Sequence, residues 1–281
     1  MLTLDWLDHL LFVVLAVVFP VRAGVFAFRR LMCASEDDIP RVKLSVYRHA
    51  MVTQWALTLG LAALWLALGR PWLTLGLVPR WTWGLGGVLV GLGIAVLVML
   101  RQGRVSPEDD AVLDRLRERM RHLERMLPAT PRELRWFYAL SATAGVCEEI
   151  LYRGFMIWYL SAWLALVLPG QHLFLAAAAL SSVVFGAGHA YQGWRGIALT
   201  ALVGGFLAAV YWITRSLFAG ILIHALLDAH SGHVTFLAQE RARERARAAF
   251  AAEVERLEDG SAPEPGGGAP RDEGGAPPPR A

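Results

Sequence analysis

Apolar residues gather into seven long runs, at about 6–27, 49–69, 81–100, 135–168, 173–191, 194–214 and 217–237. A helix needs about 20 apolar residues to cross the hydrocarbon of a bilayer, and most of these runs have that length. Between them lie shorter polar segments, several dense in arginine. The pattern predicts an all-α fold, a polytopic transmembrane helical bundle. The run at 135–168 is too long for one straight crossing. A break near Gly154 would divide it into two helices and give about eight spans; a single kinked helix would give seven.

The polar segments have their own patterning. In 108–127, Val112, Leu113, Leu116, Met120, Leu123 and Met126 recur at helical spacing, and arginines fill the other face. This predicts an amphipathic helix lying on the membrane surface. Residues 238–258 read as a highly charged helix. From Gly260 onward the chain is rich in Pro and Gly, the composition of a disordered tail. Four regions follow: 1–100 as a three-span membrane region, 101–134 as a charged connector, 135–237 as the core, and 238–281 as charged helix and tail. No internal repeat stands out.

Composition sharpens this picture. The chain is 56% hydrophobic with a mean hydropathy of +0.43, too apolar for an ordinary soluble domain. The net charge is only +3, and the basic residues fall outside the apolar runs. That argues against nucleic acid as a partner and for contact with lipid headgroups. Arg29, Arg30, Arg41, Lys43 and Arg48 crowd 28–48, and nine arginines lie in 101–135. The excess of positive charge places both segments in the cytoplasm. Arg241, Arg243, Arg245 and Arg247 follow the last run; seven spans would put them on the same side, eight on the other. Sequence alone leaves that choice open. The two cysteines, Cys33 and Cys147, imply no disulfide framework. The first run lacks a basic flank and a small-residue cleavage site, so it is expected to be retained as a span.

Six ionisable residues interrupt the apolar second half: Glu148, Glu149, Arg153, His189, His224 and Asp228. A charge near the bilayer centre costs about 2.5–3.5 kcal/mol on an insertion scale. Such residues on separate helices make sense if they meet in one pocket. Glu149 and Arg153 are one turn apart and can neutralise each other. Glu148 is rotated by about 100°, towards the face of Tyr152, which leaves it free for acid–base chemistry. His189 lies near the end of its run, within reach of water, with Phe185 one turn before it. Gly186, Ala187 and Gly188 allow close helix approach. His224 and Asp228 share a face, so Asp228 could orient the imidazole or hold the same water. His230 and His233 fall off that face. Taken singly, each feature has a plainer reading as an ion pair, a helix–helix hydrogen bond or packing. Cys147 reads as a small apolar filler, and Trp158, Tyr159 and Trp163 as packing or belt residues.

The order Glu-Glu-x-x-x-Arg, Phe-x-x-x-His, His-x-x-x-Asp on successive membrane helices resembles the CPBP family of intramembrane proteases, which includes CAAX proteases and bacteriocin-processing enzymes (also called the Abi family). The resemblance covers about 135–237. It implies a conical pocket opening to the cytoplasm. Within it Glu148 would activate water, His189 would bind that water or stabilise the oxyanion, His224 and Asp228 would complete the site, and Glu149 and Arg153 would support it. The family has been described as metallo-endopeptidases. Glu148, His189, His224 and Asp228 could offer a nitrogen/oxygen site to zinc, but the H-E-x-x-H helix of zincins is absent, and a glutamate-activated water needs no metal. The expected substrate is a membrane-anchored or lipid-modified protein or peptide. The Ala, Arg, Gly and Leu-rich composition, with a single lysine, points to a bacterial plasma membrane. Two other classes fit buried Glu, His and Asp: a proton-coupled transporter, which the lack of inverted repeats disfavours, and a non-catalytic scaffold, which the complete motif set disfavours.

Overall fold

A computed structural model describes residues 4–22, 28–78, 82–102, 111, 114, 115, 118 and 123–259. All regular structure among them is helical. The helices are α1 (Trp6–Val13), α2 (Phe19–Val21), α3 (Phe28–Met32), α4 (Ile39–Ala67), α5 (Trp83–Gln102), α6 (Pro131–Glu148), α7 (Ile157–Leu164), α8 (Gly170–Ala187), α9 (Gly193–Thr214) and α10 (Leu217–Glu258). Four stretches are long and apolar enough to cross a membrane: Ile39–Ala67, Gly170–Ala187, Ala190–Thr214 and Leu217–Glu258. Two shorter apolar helices, Trp6–Val21 and Trp83–Val98, stand beside them. Most of the surface helix expected at 108–127 lies outside the described residues. The chain divides into two compact units, Met1–Gln239 and Glu240–Ala281; the site lies in the first.

The run at 135–168 does not break near Gly154. Helix α6 passes through a π-helical segment, Glu149–Met156, directly into α7. Thr130 caps its start by accepting from the Glu133 amide at 3.2 Å, and Pro131 takes the first turn, where no amide donor is needed. Gly154 serves packing: a Cβ there would sit 3.1 Å from the carbonyl oxygen of Leu75. The wider π winding shifts side chains round the helix axis relative to regular α spacing, a distortion often found at functional sites.

Short turns join α7 to α8, α8 to α9 and α9 to α10, so consecutive helices run antiparallel. The start of α6, the end of α8 and the start of α9 therefore share one end of the bundle. The two arginine-rich segments meet there. Lys43 donates to Glu133 Oε2 and to the Leu127 carbonyl, each at 2.9 Å, Tyr47 donates to the Met126 carbonyl, and Arg125 donates to the Met32 carbonyl at 2.7 Å. At the other end Arg70 grips Asp8 through two bonds of 2.7 Å, and the Leu217 amide donates to the Gly76 carbonyl at 3.0 Å.

The largest buried cluster surrounds the π segment, with Leu151, Tyr152, Phe155 and Met156 packed against Leu15, Leu61, Trp65 and Phe185. Large apolar side chains such as Leu175, Val183, Leu199, Leu202 and Phe206 stand on the outside, as lipid-facing surfaces require. Small residues set the helix spacing. A Cβ on Gly145 would lie 2.8 Å from Ala225 Cβ and from the Ile221 carbonyl oxygen, and one on Gly186 would lie 2.6 Å from the Ile197 carbonyl oxygen. Gly145 thus lets α6 press onto α10, and Gly186 lets α8 press onto α9.

Candidate active site

The close contact at Gly145 brings the end of α6 against α10 one turn from His224. His224 Nδ1 lies 2.8 Å from Glu149 Oε1. An ionised carboxylate only accepts, so Nδ1 carries the proton and Nε2 faces away. Nε2 lies 3.8 Å from Glu148 Oε2 and 3.7 Å from Asp228 Oδ2. One imidazole therefore touches all three carboxylates. The sequence left Asp228 either to orient His224 or to hold the same water; the Nδ1 contact goes to Glu149.

Glu149 also meets Arg153, as the one-turn spacing predicts, with Nη1 2.9 Å from Oε1. Glu149 is fully buried and Arg153 is 2% exposed. This is a charge contact without an aligned hydrogen bond, since neither terminal nitrogen of Arg153 has a hydrogen-bond partner. The guanidinium carbon lies 4.3 Å from the centre of the Phe185 ring, a cation–π contact.

Phe185 is the hub that the Phe-x-x-x-His motif hides. Its ring centre lies 4.9 Å from that of His189, 6.0 Å from that of His224 and 5.0 Å from that of Tyr152. His189 joins the cluster through this ring. Its Nδ1 lies 2.9 Å from the Phe185 carbonyl oxygen, so Nδ1 donates and Nε2 is left for other work. His233 instead pairs with Tyr138 at 2.8 Å on an exposed edge.

Burial grades across the site. Glu148, Glu149, Arg153 and His224 are buried, whereas the Asp228 side chain is 44% exposed and His189 is half-buried. Asp228 and His189 are thus the most exposed members of the cluster, and His189 follows the end of α8 on the side where the arginine-rich segments meet.

One contact escaped the sequence reading. Gln54, buried on α4, donates from Nε2 to Glu148 Oε1 at 2.8 Å. Its signal was present: Gln54 and Thr58 are polar residues one turn apart inside the apolar run 49–69. The bond holds one oxygen of Glu148 and leaves the other facing His224. Among the described residues no group of three or more His, Cys, Asp or Glu is arranged to hold a metal ion.

Residues 130–230 match the family model described as Rce1-like type II CAAX prenyl endopeptidase, and all seven motif residues fall within that segment. No curated protein and no solved structure matches the chain. Gln54, on α4, lies outside the matched residues.

Proposed function

We propose, since residues 130–230 are a domain of the Rce1-like type II CAAX prenyl endopeptidase family, that this integral membrane protein is an intramembrane endopeptidase with Glu148 as its general base. The supporting observation is His224 Nε2, set 3.8 Å from Glu148 Oε2 and 3.7 Å from Asp228 Oδ2. Both separations are too long for direct hydrogen bonds and fit one water held between His224 and Glu148, with Asp228 alongside. The Nε2 lone pair takes one proton of that water as a hydrogen bond. Glu148 removes another as the water oxygen attacks the scissile carbonyl carbon, then delivers it to the amide nitrogen as the carbon–nitrogen bond breaks. Glu149 fixes the tautomer of His224, and Arg153 offsets the charge of Glu149. Gln54 holds the second oxygen of Glu148 so that Oε2 faces the water. His189, half-buried, helps to hold the water or the developing oxyanion.

The unbroken helix from Pro131 to Leu164 supports seven crossings. With seven, the arginine-rich segments and the basic stretch after residue 240 all fall on the cytoplasmic side, and the site opens there beside His189. The substrate class is a prenylated or otherwise membrane-anchored protein or peptide, cleaved at the plasma membrane.

The test compares the termini of membrane proteins in cells expressing wild type or Glu148→Gln at equal abundance. The expected result is a terminus present only with wild type. Identical termini, with both proteins folded, would refute the reading.

A further inference from the structure

We infer that the protein binds a phosphate group in a cavity at the end of the bundle opposite the arginine-rich segments. The cavity measures about 310 Å³ and is lined by Thr74, Arg153, Ser161, Phe174, Tyr211 and Arg215, among others. It lies where α7 gives way to α8 and α9 to α10. Its size suits a headgroup, being at the small end of the roughly 300–1,000 Å³ usual for ligand sites.

Three observations point to an anion. The lining holds two arginines and no carboxylate; with Arg153 offset by Glu149, Arg215 gives it one net positive charge. Arg153 is 2% exposed, yet neither terminal nitrogen of its guanidinium has a hydrogen-bond partner. Buried donors of this kind are normally satisfied, and Glu149 meets Arg153 only as a charge contact. Arg215 has a φ of +54°, the one positive value among described residues other than glycine. It stands at the C-cap of α9, where glycine would hold this backbone without strain. A strained residue kept in place of glycine points to a task for its side chain. Its guanidinium lies 3.7 Å from the Trp212 ring centre, and no carboxylate among the described residues pairs with it.

Place strengthens the case. In the seven-crossing arrangement this end faces away from the arginine-rich segments, where basic residues are scarce. Arg215 is then an exposed cation at headgroup depth, beside hydroxyls of Ser161 and Tyr211 that can donate to phosphate oxygens. Arginine is suited to such recognition because its planar fork offers paired donors. The phosphate is that of a lipid headgroup or of a free phosphate ester; both present the same oxygens.

The test uses the full-length protein in neutral detergent. Native mass spectrometry follows titration with phosphatidylglycerol and, separately, with a neutral glycolipid lacking phosphate. Thermal unfolding is followed in inorganic phosphate against chloride at equal ionic strength. Wild type should retain phosphatidylglycerol in preference to the glycolipid, or be stabilised by phosphate. Retention without phosphate stabilisation identifies a lipid headgroup; phosphate stabilisation without retention identifies a free ester. Arg215→Gln should weaken the effect at least tenfold while Glu148-dependent cleavage persists. Ser161→Leu, which fills the cavity and leaves both arginines, should do the same. Absence of both effects in wild type, or wild-type binding by both variants, would overturn the inference.

Discussion

Replacing Gln54 by leucine removes one contact: the 2.8 Å bond from its Nε2 to Glu148 Oε1. Leucine is of similar size, and Gln54 is buried, so packing around α4 should survive. A hydrogen bond to a charged group contributes about 1.5–3 kcal/mol. Each 1.4 kcal/mol lost from the transition state lowers the rate about tenfold. If the bond serves to hold Glu148 against the water, Gln54→Leu should lower kcat by about 10- to 100-fold. KM should change little, because Gln54 is placed behind the base. The assay is the rate at which the Glu148-dependent terminus appears in membranes carrying equal amounts of each variant. Gln54→Asn, too short to reach, should resemble leucine. A kcat within twofold of wild type for both variants would refute the reasoning, since Glu148 would then hold its position unaided.

Two further outcomes test the architecture. Gly145→Ala puts a Cβ within 2.8 Å of the Ile221 carbonyl oxygen and of Ala225 Cβ; overpacking of this kind costs about 1–3 kcal/mol, so thermal unfolding in detergent should occur at lower temperature, with loss of cleavage as α10 is pushed from α6. Lys43→Met leaves Glu133 buried without its cation, a loss of about 3–5 kcal/mol, and Lys43→Met with Glu133→Met should recover most of it; equal unfolding temperatures for the single and double variants would show that the pair is not coupled.

The physical reasons why parts of the site were legible lie in helix geometry. Glu149 and Arg153 are one turn apart, and that local relation survives the π winding, so their contact could be read from spacing. The cost of charge in hydrocarbon implied that Glu148, His189, His224 and Asp228 should converge, and the structure gathers them. Spacing carries no information across helices. That His224 Nδ1 faces Glu149, while Asp228 stands half-exposed, depends on how far Gly145 lets α6 and α10 approach. Gln54 looked like one polar residue in an apolar run, and only the packing of α4 on α6 gave it a partner.

What the sequence by itself determined is therefore what local periodicity and desolvation impose: an all-helical membrane chain, its apolar runs, the clustering of arginine, and the residue types of the pocket. Tertiary structure decided the continuity of the helix from Pro131 to Leu164, because Gly154 is taken up by close contact with the Leu75 carbonyl and does not end the helix. It also decided which carboxylate holds the imidazole, what holds Glu148, and the cavity between Arg153 and Arg215. Each of these is set by distances between residues far apart in the chain, fixed by the summed packing of several helices that no one helix's sequence contains.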